Sequence, residues 1–74
     1  MNFTANYIKI ESGFMGQIVE WPEVITEGET IDECRDMLKD ALEEMILAHK
    51  QLGYSIPIKK VYSEQMNLDL EYVG

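Results

Sequence analysis

The chain has 74 residues with one cysteine, one histidine, and fourteen acidic against six basic side chains, a formal net charge of −8. A single domain of this size buries only about 60% of the surface its unfolded chain exposes. A lone cysteine closes no intramolecular disulfide, and one cysteine with one histidine makes a poor zinc set. No apolar run matches a membrane span and residues 1–4 lack the basic start of a signal peptide, so a soluble protein of a reducing compartment, most simply the cytoplasm, is expected. The acidic surplus repels phosphate backbones, which argues against direct nucleic-acid binding by this chain alone. The same field would draw in a basic protein, or would serve solubility only.

Residues 3–11 and 14–21 read as two strands joined at Ser12 and Gly13, a dipeptide suited to a hairpin. Alternation puts Ile8 and Ile10 on one face of the first strand, with Tyr7, Lys9 and Glu11 on the other. In the second strand Phe14, Gly16 and Ile18 oppose Met15, Val19 and Trp21, so both faces carry apolar groups. One face is expected to meet a helix, leaving the other as a candidate contact surface. Pro22 removes a backbone donor and ends the strand. Val24, Ile25 and Thr26 suit a brief third strand.

Residues 26–33, Thr-Glu-Gly-Glu-Thr-Ile-Asp-Glu, encode a turn running into a helix start. Gly28 is expected to supply a positive φ. Thr30 stands as N-cap and Glu33 completes a capping box, the hydroxyl accepting from the Glu33 N–H and the carboxylate reaching back to the Thr30 N–H. Asp32 and Glu33 also complement the helix dipole. From Ile31 to about Leu52, the residues Ile31, Cys34, Leu38, Ala41, Leu42, Met45, Ala48 and Leu52 form one apolar stripe at three- and four-residue steps. Lys39 and Glu43 are spaced to pair across a turn. His49 and Lys50 suit the negative end of the dipole, and Gly53 fits the position just past the helix. Pro57 disfavours a central strand after it. Met66, Leu68, Leu70 and Tyr72 alternate with Asn67, Asp69, Glu71 and Val73 as a last strand should. The expected architecture is α+β, in the order β-β-β-α-β: an antiparallel sheet with one amphipathic helix packed on one face.

Trp21, Pro22 and Glu23, then Thr26, Glu27, Gly28, Glu29 and Thr30, then Ile31, Asp32, Glu33 and Cys34 follow a recognisable layout. It resembles the N-terminal domain of the HicB antitoxins: a hairpin, an aromatic or apolar residue before Pro and an acid, Thr-x-Gly-Asp/Glu-Thr, and an acidic helix. Cys34 stands where that family usually has Ala. The resemblance covers roughly residues 7–73, is strongest over 21–42, and implies a partial ribonuclease H-like fold. It further implies an antitoxin of a type II toxin-antitoxin pair, with a HicA-like partner: a small basic ribonuclease that cleaves mRNA. The C-terminal DNA-binding domain of full-length HicB proteins is not expected within residues 1–74.

Each chemically suggestive residue has a plainer reading beside it. Asp32, Asp36, Asp40, Glu43 and Glu44 are the acids a metal-dependent nuclease would use, but they fall on a helix face suited to water. Shared fold does not carry activity without its site. His49 is a possible general base or a helix-end charge; Cys34 is a thiol near a helix N-terminus or a small core residue on the stripe. Neither a metal, a cofactor nor catalytic activity is expected. Trp21 is either a core anchor or an interface hot spot. The expected toxin-binding set is Trp21, Glu23, Glu27, Glu29 and Asp32, acting through an acidic rim that masks a cationic RNA-binding surface. The alternative is an orphan HicB-like module for protein interaction, homo-oligomeric through a sheet edge or through the face carrying Val19 and Trp21.

Overall fold

In the computed structural model, residues 1–70 are described. Three strands, β1 (Ala5–Ile10), β2 (Gly13–Ile18) and β3 (Ile25–Gly28), precede one helix, α1 (Ile31–Leu52). The sheet is antiparallel in the order β1-β2-β3, so β1 and β3 are its edges. Ile10 pairs with Gly13, which makes Glu11 and Ser12 the hairpin loop, one residue earlier than expected. The α+β class and the order of these elements match the sequence reading.

Register decides which face the helix covers. Tyr7, Gly16 and Thr26 lie across from one another, as do Ile8, Met15 and Glu27. The first row faces α1. Ile8 and Ile25, on the outer face, are 53% and 46% exposed.

At the closest approach of helix and sheet, Cys34 is fully buried. A Cβ on Gly16 would come within 2.9 Å of the Cys34 sulfur and 3.1 Å of the Tyr7 ring. A Cβ on Gly28 would meet the Cys34 backbone N at 2.6 Å and Cα at 2.8 Å. The two glycines therefore clear space for the first turn of α1. Gly28 has no positive φ; the glycines that do are Gly13 and Gly53. The expectation of a left-handed turn at Gly28 is replaced by a need for proximity.

Both ends of the helix are fixed locally. Thr30 is extended (φ −120°, ψ 163°), and its hydroxyl accepts from the Glu33 N–H at 3.1 Å. The reciprocal bond from Glu33 to the Thr30 N–H does not form among the described residues. At the far end Gly53 is left-handed (φ 72°), its N–H bonds the Lys50 carbonyl at 3.2 Å, and the Tyr54 N–H bonds that of His49 at 2.8 Å. These are the two bonds of a Schellman motif. Among the described residues the ion pair is Arg35 with Asp32 at 2.6 Å, and the expected Lys39–Glu43 pair is not made.

The core is small: Ile18, Trp21, Val24 and Leu38, flanked by half-buried groups that include Phe3, Ala5, Leu42, Met45 and Ile56. A helix of 22 residues runs about 33 Å, whereas strands of six reach about 20 Å. α1 overhangs the sheet, and Leu52 at the end of the expected stripe is 64% exposed. Beyond Gly53 residues 54–70 carry no helix or strand. The expected last strand does not form over residues 66–70; Glu71, Tyr72 and Val73 lie outside the described residues. Alternation equips a segment to pair but supplies no partner, and this segment bonds to neither sheet edge.

The glycine seam yields a double-mutant test. Gly28→Ala and Gly16→Ala should each destabilise the protein by about 1–3 kcal/mol through overpacking. Adding Cys34→Ala should offset part of the Gly16→Ala loss, since the sulfur is the obstacle there. It should offset none at Gly28, where the obstacle is backbone. Urea unfolding of the singles and doubles measures both couplings.

A second test concerns the N-terminal strand. The Thr4 hydroxyl and N–H each donate to the Glu20 carboxylate at 2.7 Å. The hydroxyl bond foremost, then the backbone one, holds the Glu20 pKa below the ordinary carboxylate value. A pKa lowered by folding stabilises fully above the unfolded value, and that contribution is lost as pH falls through the folded one. The stability advantage of the native chain over Glu20→Gln should hold at pH 7 and shrink below about pH 4.3, as read by urea unfolding at stepped pH.

Candidate functional site

The residues singled out for partner binding separate into two groups. Trp21 is 2% exposed and belongs to the core, so it is not a surface contact. Its burial follows from the chain path after β2. The strand ends at Ile18, the Val24 N–H bonds the Trp21 carbonyl at 3.0 Å, and the Ile18 N–H bonds the Val24 carbonyl at 3.0 Å. The Gln17 amide adds a bond to the Pro22 carbonyl at 2.8 Å. This tight loop turns the indole out of the strand's alternation and under the helix. There it meets the His49 ring edge-on at 4.8 Å between centroids, and the Tyr54 ring lies 5.9 Å from the same imidazole. The expectation that Val19 and Trp21 share an open face fails for the same reason.

Glu23, Glu27, Glu29 and Asp32 are all exposed. Glu27 and Glu29 come together with Glu33, Ser12 and Gly28 around a shallow groove of about 240 Å³, between the hairpin tip and the start of α1. Glu33 is the member that sequence reasoning missed, because the capping box had assigned its carboxylate elsewhere. Asp32 is not in this group; its carboxylate accepts from the Arg35 guanidinium, and that bond is the main cause of the raised Arg35 pKa.

Glu27 also borders a second groove, of about 460 Å³, lined by Met15, Ile25, Thr26 and Met37. Its apolar part was legible only in pieces. Met15 and Ile25 sit on neighbouring strands by register, while Met37 leaves the buried stripe of α1 and stays 47% exposed. β3 presents an unpaired edge alongside. The site is thus an open strand edge with apolar side chains at its centre and carboxylates beside it, chemistry suited to a cationic protein surface with an apolar spot.

The other candidates resolve into structural roles. Cys34 is enclosed by Thr26 and the glycine seam, its thiol 3.8 Å from the Thr26 carbonyl. His49 Nδ1 lies 3.0 Å from the Met45 carbonyl, one helical turn back. Among the described residues no three His, Cys, Asp or Glu side chains gather as a metal site. No helix among them is long and apolar enough to cross a membrane.

No curated protein matches the chain. No solved structure matches it either. A family model described as UPF0150-like matches residues 3–57, which take in the whole sheet, the whole helix and its C-terminal turn. The chain belongs to the UPF0150-like family.

Proposed function

We propose that this protein is a non-enzymatic, antitoxin-like binding module of the HicB type, with the partial ribonuclease H-like fold of that group. It neutralises a small basic, HicA-like ribonuclease by covering its RNA-binding surface. The observation that carries the reading is the β3 edge, where Glu27, Glu29 and Glu33 share one groove and Met15, Ile25 and Met37 flank the next. The net charge of −8 strengthens it, since the domain as a whole attracts a cationic partner. The HicB-like run of residues 21–34 supplies the partner's class.

The mechanism is competition. Carboxylates on the edge occupy the Arg and Lys side chains that would hold RNA phosphates, and the apolar centre excludes water from the contact. Such a complex associates quickly at low salt and loosens as salt rises. Glu23 adds charge at the entrance to β3. Trp21 contributes only by holding the preceding loop.

Two sets of substitutions test the reading. Glu27→Lys with Glu29→Lys should leave the circular dichroism spectrum unchanged, because both side chains are exposed. It should weaken inhibition of the basic ribonuclease by at least about tenfold. Undiminished inhibition, or binding to the native chain that ignores ionic strength, would sink the assignment. Trp21→Ala should instead cost about 3–5 kcal/mol of stability, a large share of what a domain of this size possesses, and a thermal melt reads it directly.

A further inference from the structure

The opposite edge of the sheet has an unfilled groove, and the chain carries a segment shaped to fill it. The groove measures about 400 Å³ and lies between α1 and the start of β1, with Met1, Asn2 and Phe3 lining its N-terminal end. Its floor is apolar, formed by Ala5 and Ile18 from the sheet and Leu38 and Leu42 from the helix. Its rim holds Arg35 and Lys39, two of only six basic residues in the chain. β1 is an edge strand, so every second residue leaves its backbone N–H and C=O without a ladder partner.

Residues 60–70 have the complementary features. Met66, Leu68 and Leu70 alternate with Asn67 and Asp69, and they are 78%, 73% and 72% exposed. Tyr62 is 90% exposed. Four large apolar side chains this open within nine residues form a run of the kind that marks an interaction site rather than isolated surface residues. Beyond Lys60 the segment carries Glu64 and Asp69, opposite in sign to Lys39 on the groove's rim, where Arg35 is already paired with Asp32. Among the described residues, the last backbone bond tying it down is from the Lys59 N–H to the Glu20 carbonyl, at 3.0 Å. The radius of gyration is 16.1 Å and the longest dimension 57 Å, against about 11 Å expected for a compact chain of this length. Fully extended, residues 60–70 reach about 36 Å, more than the six-residue β1 requires.

We infer that the occupant of the β1 groove is the residue 60–70 arm of a second copy of this chain, which adds there as a fourth strand while its own groove receives the arm returned. Met66, Leu68 and Leu70 then face Ala5 and Leu42 of the other subunit, above its buried Leu38, and Asn67 and Asp69 face water. The exchange is symmetric, so both arms and both edges are satisfied by one two-fold operation. It leaves the β3 edge free, and the proposal stands whether or not that edge binds a ribonuclease.

The test uses the full chain in two forms. Light scattering should find the native protein dimeric at tens of micromolar. Leu68→Pro with Met66→Asp should be monomeric, with dimer affinity down by more than about a hundredfold, and should keep the native circular dichroism of the sheet and helix, since the arm supports neither. Hydrogen exchange should show β1 amides protected in the native dimer and open in the variant. A native monomer at all concentrations overturns the proposal, including one whose β1 amides are protected by its own arm. A dimer that survives both substitutions overturns it as well.

Discussion

The closeness of α1 to the sheet is the constraint on which the rest of this fold depends. With so few residues the protein has room for a single helix, and that helix must reach the sheet at short range to exclude water. Cys34 makes the contact, and Gly16 and Gly28 make it possible by having no side chains of their own. From that point the helix axis is set. Leu38 follows one turn later onto Ile18, and Leu42 and Met45 continue toward the Trp21 loop.

Because one helix covers one face of three strands, the described residues leave more large apolar side chains exposed than they bury. The outer face of the sheet, both strand edges and the overhanging end of α1 all carry apolar side chains in water. The two edges differ in character. That of β3 is short and bordered by carboxylates, while that of β1 is longer and backed by an apolar groove with a basic rim. The charged side chains beside the two edges therefore differ in sign, carboxylates next to β3 and Arg35 and Lys39 next to the groove under β1.

Features encoded by neighbours along the chain were the most legible. The helix bounds of Ile31 and Leu52 agree with the sequence reading because a threonine cap, a 3.6-residue stripe and a terminal glycine are all local signals. The hairpin was legible for the same reason, to within one residue. Misreadings arose where a distant contact decides. Gly28 looks like a turn residue until the backbone of Cys34 is seen beside it. Trp21 looks exposed if strand alternation is carried past Ile18, and the bond from Val24 to Trp21 is what redirects it. The final alternating segment has the pattern of a strand, yet residues 66–70 form none, because pairing needs an edge that is not written next to it. At the β3 edge the acids were legible but not their grouping, since Glu33 joins Glu27 and Glu29 only once α1 is docked.

The loop that carries Trp21 gives this molecule a built-in optical reporter. The chain has one indole, and it rests edge-on against an imidazole on the last turns of the helix. Its emission colour and intensity register whether residues 19–24 remain seated beneath α1, with no second fluorophore of its kind to blur the signal. Loosening at that end of the protein can be followed in real time without attaching a dye.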